Sequence, residues 1–300
     1  MREITIERPV EGTARSREAV ALAAALVTVV LWSSAFVGIR SAGTAFSAGS
    51  LTLGRLLVAS IALTCVALAR GATLPRRTDL PLLLACGLLW FGAYNVLLNE
   101  AEHRVDAGTA SMLVNVGPIL IAILAGVILR EGFPRALIVG CAVAFAGAVV
   151  IGVATSGESG GGGIGAVLCV LAALAYACGV VAQKPLLSRI SALEVTWLAC
   201  AIGTIACLPF APRLVDEASH AETSKIAWIV YLGIFPTAIA FTTWAFALAR
   251  TQAGRLGSTT YLVPPITIAL GWAILSESPP AIAIVGGILC VAGAALARRR

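Results

Sequence analysis

A series of apolar stretches, each about 18 residues or longer, recurs along the whole 300-residue chain and limits its fold more than any other feature. Each stretch is long enough to cross the hydrocarbon core of a membrane as a helix, and short charged or Gly- and Pro-marked breaks separate them. Hydrophobic residues make up 59% of the chain and charged residues 12%. A soluble domain is only about 45–50% apolar, so we predict an all-α membrane protein.

The apolar stretches predict ten transmembrane helices, five on each side of a glycine-rich segment. The predicted spans are 19–39, 46–69, 80–99, 107–129, 135–153, 163–183, 192–210, 226–248, 256–275 and 280–297.

The basic residues predict the orientation of these helices. With the N-terminus in the cytoplasm, sixteen of the 21 Lys and Arg residues lie on the cytoplasmic side and four outside, and only Arg55 lies well inside a span. This is the bias that the positive-inside rule expects. Both termini are therefore predicted to be cytoplasmic, with residues 1–18 as a tail. Because the basic residues flank apolar stretches, the pI of 9.1 indicates topology and no nucleic-acid partner.

An internal repeat relates the two parts of the chain. A shift of 146 residues aligns residues 104–150 with 250–296 without a gap, and the identical pairs include Pro118/Pro264, Glu131/Glu277 and Gly140/Gly286. We predict two five-helix repeats, 19–153 and 163–300, joined by a Gly-rich linker at 154–162. Five is an odd number, so the second repeat enters the membrane from the opposite side and the repeats are inverted.

Several motifs resemble one known family. They are Trp32–Phe36, Arg55–Leu57, Tyr94–Asn95, Ala107–Ser111, Pro118 and Leu129–Glu131, with Pro264, Leu275 and Glu277 in the second repeat. The chain thus resembles EamA-type transporters of the drug/metabolite transporter superfamily, although Tyr176 stands where a tryptophan is common and Pro264 is doubled by Pro265. The resemblance implies export or exchange of small metabolites, often amino acids or related compounds, through a central cavity.

The repeat-related prolines indicate where substrate binds. Proline removes a helical hydrogen bond and frees the carbonyl four residues earlier, here those of Val114 and Thr260. Asn115 and Tyr261 are repeat-equivalent neighbours of these carbonyls. We predict a binding site at the membrane midplane between Asn115/Pro118 and Tyr261/Pro264. The alternative is that the prolines only kink packed helices.

Other polar and aromatic side chains complete the predicted lining. They are Trp32, Ser33, Ser34, Tyr94, Asn95, Asn99, Tyr176, Gln183, Thr243, Trp244 and, with its carbonyl, Thr260. For Trp32 and Trp244, a place in the interfacial aromatic belt is the alternative. Arg55 either binds a substrate carboxylate or extends outward to water, because a charge inside a span is costly without a partner.

Glu131 and Glu277 are predicted structural caps. Each precedes a proline at the start of the next helix, where a carboxylate accepts from free amides at the positive end of the helix dipole. No Asp or Glu lies near the centre of a predicted span. The candidate residues for proton coupling are therefore peripheral: Glu100, Glu102 and His103.

Small residues repeat every fourth position in the fifth and tenth spans. These stripes, Gly140/Ala144/Ala148 and Gly286/Cys290/Ala294, permit close contact between helices. The contact lies either within one chain or in a homodimer.

We predict a secondary transporter for a small polar metabolite in the inner (plasma) membrane, working by alternating access. A membrane-embedded enzyme and a receptor or scaffold are the alternatives. Residues 157–161 fit G-x-S-x-G, but the strand-turn-helix context of a nucleophile elbow is missing. No His/Cys cluster has metal-ligand spacing, and we expect no metal or cofactor. The expected partners are the substrate and the lipid bilayer.

Overall fold

The computed structural model describes residues 11–104, 110, 113–155, 162–275 and 281–299, and all regular structure in these ranges is helical. The helices are α1 Glu11–Ala42, α2 Ala48–Ala69, α3 Arg77–Glu102, α4 Gly117–Ile128, α5 Arg135–Thr155, α6 Gly162–Leu186, α7 Ala192–His220, α8 Thr223–Leu248, α9 253–275 and α10 Ala281–Ala297.

Among these described helices, six are long and apolar enough to cross a membrane: α1, α2, α3, α6, α7 and α8. Shorter apolar helices are Gly117–Ile128, Arg135–Val150 and Ile284–Ala297. The predicted all-helical membrane class is confirmed.

Two helices extend eight or more residues beyond their predicted spans. Helix α1 begins at Glu11, eight residues before the predicted start, because Glu and Arg form helix well although they are not apolar. Helix α7 continues as the amphipathic segment Ala211–His220, whose Leu214 packs against the hydrophobic core. Hydropathy detects the part of a helix that meets lipid and misses its polar extensions.

Two long helices contain a π-helical segment at corresponding positions. The segments are Cys86–Ala93 in α3 and Gly233–Ile239 in α8. The predicted 146-residue register carries Ala93 onto Ile239. Single-turn π segments inside α-helices are frequent at functional sites, so this pair directs attention to the middle of both helices.

The prolines of the repeat lie where helices change geometry. Pro118 is in the first turn of α4, directly after the turn at residues 115–116. In α9, a 3₁₀ segment, Ser258–Leu262, precedes Val263–Leu275, which carries Pro264 in its first turn. The predicted interruption at these two positions is therefore present, because neither proline can donate a backbone hydrogen bond to the preceding turn.

The small-residue stripes of α5 and α10 contact each other within the chain. A Cβ built on Gly293 would lie 2.6 Å from Ala144 Cβ, and one built on Gly147 would lie 2.7 Å from Cys290 N. Ala144, Ala148 and Cys290 are fully buried. The intramolecular alternative is thus the one the structure shows, and these faces are covered without a second copy.

This packing predicts that Gly293→Ala lowers stability. The added methyl group overlaps backbone and Cβ atoms of α5, and overpacking of this kind costs about 1–3 kcal/mol of unfolding free energy. Thermal unfolding of the purified protein in detergent measures the loss. Gly163→Ala is the matched control, since nothing lies within 4 Å of a Cβ at Gly163. Equal melting temperatures for both variants would contradict the proposed contact.

Candidate functional site

A cavity of about 70 Å³ lies inside the helix bundle, at the end where α1 and α3 finish and α2 begins. This volume is below the roughly 300–1,000 Å³ typical of small-molecule sites, so a bound metabolite requires the surrounding helices to move apart. Seven helices or their flanking turns supply the lining residues: Trp32, Ala35, Phe36, Ile39, Arg55, Trp90, Tyr94, Asn95, Leu98, Val114, Asn115, Pro118, Tyr176, Phe241, Thr260 and Val263.

Aromatic rings form much of the cavity wall and continue behind it. Trp90 lies 5.4 Å from Tyr176 and 4.8 Å from Phe241, between ring centroids. Trp32 lies 5.4 Å from Phe241 and 5.0 Å from Trp244. Such faces attract a cation, because the quadrupole of each ring places negative charge above its plane.

Arg55 is the cationic group of the cavity. Its side chain is 3% exposed, and its Nε donates to Thr237 Oγ1 at 3.0 Å. The guanidinium also carries two terminal Nη groups. The alternative in which Arg55 extends outward to water is wrong, because the hydroxyl of α8 holds the guanidinium inside. The paired donors that remain match a carboxylate.

Backbone carbonyls in and next to the π segments form hydrogen bonds with several side chains of the site. Pro236 cannot donate to the carbonyl of Leu232, and Thr237 Oγ1 donates to it instead at 2.8 Å. Trp32 Nε1 donates to Pro236 O at 3.2 Å. In α3, Asn95 Nδ2 donates to Phe91 O at 2.8 Å. Side chains predicted to line the site therefore also satisfy carbonyls that the interrupted helices release.

Half of the predicted binding residues line the cavity: Trp32, Arg55, Tyr94, Asn95, Asn115, Pro118, Tyr176 and Thr260. Asn115 lies in the turn before α4, and Thr260 lies opposite in the 3₁₀ segment of α9. The predicted meeting of the two proline regions around one cavity is thus present in the structure.

Tyr261 and Pro264 do not line the cavity. Tyr261 is fully buried among Leu137, Cys141 and Ala144 of α5. A 3₁₀ helix turns about 120° per residue, so Thr260 faces the cavity and Tyr261 faces away. The carbonyl of Thr260 also accepts from the N–H of Val263, so it is not free for a ligand as the proline spacing predicted.

The other predicted lining residues contact neighbouring helices instead. Ser33 donates to Val29 O and Val263 O, Ser34 bonds to Tyr231 at 2.7 Å, and Thr243 bonds to Thr28 at 2.8 Å. Asn99 donates to Thr52 Oγ1 at 2.9 Å. Gln183 is fully buried outside the lining, and no described residue bonds to its amide.

The interfacial-belt alternative for the two tryptophans is wrong. Trp244 is fully buried and Trp32 is packed against the same aromatic core. Both positions are near predicted helix ends along the sequence, but neighbouring helices enclose them.

Glu131 caps a different helix from the one predicted. Its carboxylate accepts from Ala253 N at 2.8 Å and Gly254 N at 3.2 Å, at the start of α9 rather than α5. The chain reverses there because Arg130 and Gly132 both have positive φ. Glu277 lies outside the described residues, as does the G-x-S-x-G segment at 157–161, so the cap at Glu277 remains a prediction.

Lys184, near the end of α6, bonds to the end of α8 and to the loop that follows it. Its Nζ donates to Leu248 O and Thr251 O, both at 2.6 Å, next to the loop that leads into α9. Glu131 links the first repeat to the second at this end, opposite the cavity, whereas the bonds of Lys184 lie within the second repeat.

Sequence reasoning missed the apolar half of the lining. Trp90 carried a signal, since a tryptophan in the middle of a span departs from the usual interfacial placement. Val114, whose carbonyl was predicted to be freed at the site, also lines the cavity. The remaining missed residues are apolar and look like any lipid-facing or core position in the sequence: Ala35, Phe36, Ile39, Leu98, Phe241 and Val263.

Comparisons with known proteins agree with this architecture. A crystal structure of another protein superposes with a TM-score of 0.77 at 22% identity, over 93% of this chain and 96% of that one. A probable terminal-alkyne amino-acid exporter of Streptantibioticus cattleyicolor is 41% identical, over 92% of this chain and 93% of its own. A probable amino-acid metabolite efflux pump of Salmonella typhimurium is 26% identical, over 90% and 91%.

The model of the EamA-like transporter family matches residues 19–153 and again residues 163–299. With the 41% identical relative covering nearly the whole chain, these two matches show that the protein belongs to the EamA-like transporter family and is a multi-pass membrane transporter.

Proposed function

We propose that the protein exports an amino acid or a related zwitterionic metabolite by alternating access. The observation that carries the proposal is the pairing of Arg55 with an aromatic wall in one cavity. The guanidinium matches the substrate carboxylate, and the rings match its ammonium group. Two relatives whose names describe export of amino acids or their metabolites support the same class.

The proposed topology has ten transmembrane helices in two inverted repeats, 19–153 and 163–300, with both termini in the cytoplasm. Under this topology the cavity lies toward the outer face, and the contacts of Glu131 and Lys184 close the cytoplasmic end. Exchange of these contacts for their counterparts at the other end would open the cavity to the cytoplasm. A homodimer, if one forms, uses faces other than the α5 and α10 stripes.

Reconstitution tests the function directly. The full-length protein in liposomes is expected to exchange external propargylglycine, an amino acid with a terminal alkyne that a coupling reaction can detect, for internal propargylglycine. Protein-free liposomes set the background. Exchange at the background rate, by protein whose folding is verified, would favour the membrane-embedded enzyme or the receptor and contradict the proposal.

Arg55→Gln should raise the KM for propargylglycine about 10- to 100-fold. A charge-assisted hydrogen bond contributes about 1.5–3 kcal/mol, and the glutamine amide keeps the bond to Thr237 without the charge. Arg76→Gln is the control, because Arg76 is exposed in the loop before α3. The measurement is the initial rate of exchange against concentration. An unchanged KM in Arg55→Gln excludes the carboxylate contact.

Tyr176→Leu should weaken binding about 2- to 30-fold, the range that loss of a cation–π contact covers. Tyr176→Phe keeps the ring, and in the described structure the hydroxyl of Tyr176 has no hydrogen-bond partner. We therefore expect Tyr176→Phe to bind within about twofold of wild type. Isothermal calorimetry on detergent-purified protein compares them. Equal loss in both variants would assign the effect to the hydroxyl and not to the ring.

A further inference from the structure

A second cavity, of about 470 Å³, lies at the end of the bundle opposite the candidate site. It is found where α1 and α9 begin and where α8 and α10 end. Four charged side chains line it: Glu18, Arg250, Arg255 and Arg298. Three guanidinium groups thus share this pocket with one carboxylate, and such an excess of positive charge attracts an anion.

Arg250 has a different neighbour from its repeat equivalent, Arg104. Arg104 forms an ion pair with Glu100, four residues earlier in the chain. The 146-residue register places Phe246 at the position of Glu100, and the guanidinium carbon of Arg250 lies 3.5 Å from the centroid of the Phe246 ring. The ring orients the guanidinium but supplies no counter-charge. In the second repeat, a ring therefore replaces the carboxylate that pairs with arginine in the first.

Arg255 and Arg298 repel each other in the pocket. Arg298 directly follows α10 and is partly buried. Burial lowers the pKa of its guanidinium, Glu18 raises this pKa, and the charge of Arg255 lowers it. The Nε group of Arg255 is buried and has no hydrogen-bond partner in the described structure. An anion that accepts from this donor and reduces the repulsion would stabilise both side chains.

The apolar surface next to the pocket favours a lipid phosphate over a free phosphate. Leu22 lines the pocket, and Leu26, one turn further along α1, is 42% exposed. Glu18, Leu22 and Leu26 are spaced by four residues and therefore share one face of the helix. An exposed apolar surface thus continues from the pocket toward the membrane centre, in the direction that the acyl chains of a lipid follow.

We propose that this pocket binds the phosphate group of an anionic phospholipid of the cytoplasmic leaflet. Arg250, Arg255 and Arg298 donate to the phosphate oxygens, and an acyl chain lies along α1 past Leu26. The leaflet follows from the proposed topology, whereas the lipid contact is independent of the transported metabolite.

A lipid bound here links the helices at the end that the proposed transport cycle opens. Arg250 follows α8, Arg255 belongs to α9 and Arg298 follows α10, so one phosphate group contacts three helices. Thr251, in the loop between α8 and α9, also lines the pocket, and its carbonyl accepts from Lys184. Bound lipid therefore stabilises the state in which this end is closed.

Native mass spectrometry of the full-length protein in detergent tests the pocket. Titration with phosphatidylglycerol is expected to show binding about ten times tighter than that of phosphatidylcholine, whose headgroup carries a compensating cation. Equal affinity for the two lipids would overturn the proposal. An equimolar amount of inorganic phosphate should not displace phosphatidylglycerol. Displacement would assign the pocket to a free anion and contradict the lipid contact.

Substitution of the arginines tests whether this pocket is the binding site. Arg255→Gln and Arg298→Gln should each weaken binding of phosphatidylglycerol about tenfold, because each removes a charge-assisted hydrogen bond. Arg76→Gln removes the same charge at an exposed position on the same proposed side and should bind like wild type. If Arg255→Gln does not fold, Arg298→Gln decides.

Wild-type affinity in the folded arginine variants, or an equal loss in Arg76→Gln, would refute the site. Either result leaves the proposed function intact, because exchange of propargylglycine in liposomes tests that function separately.

Discussion

The hydrocarbon core of a membrane cannot hydrogen-bond to a polypeptide backbone, and this constraint organises the whole structure. An unbroken helix satisfies this constraint with its own backbone hydrogen bonds. The interrupted helices α3, α8 and α9 need donors from elsewhere, and Asn95, Thr237 and Trp32 supply several of them. Irregular backbone is therefore found where polar side chains gather, inside the bundle and away from lipid.

The same side chains shape the cavity. Thr237 replaces the donor that Pro236 lacks and then accepts from Arg55, so a proline in α8 fixes the position of a guanidinium on α2. Trp32 donates to the carbonyl of Pro236, and its ring packs within the aromatic cluster. Structural support and proposed ligand binding cannot be separated at these positions, which is typical of transporters built on broken helices.

Part of the site could be predicted because its signals are local. A proline in an apolar stretch indicates an interruption wherever the helix packs, and an arginine in a span indicates an interior position because exposure to lipid is too costly. Side-chain direction is not local. Thr260 and Tyr261 are adjacent, and only the 3₁₀ geometry of their segment decided which one faces the cavity. Glu131 was correctly predicted as a cap, but the backbone reversal at Arg130 and Gly132 determined that it caps α9.

The sequence by itself determined the membrane class, the repeat register and the two interrupted proline helices, since each follows from hydrophobicity, periodicity or a missing N–H group along one stretch of chain. Only the tertiary structure decided that the stripes of α5 and α10 contact each other and that Trp244 is enclosed. These facts depend on which helices are neighbours. Contacts between segments far apart in the chain leave little trace in any one of them.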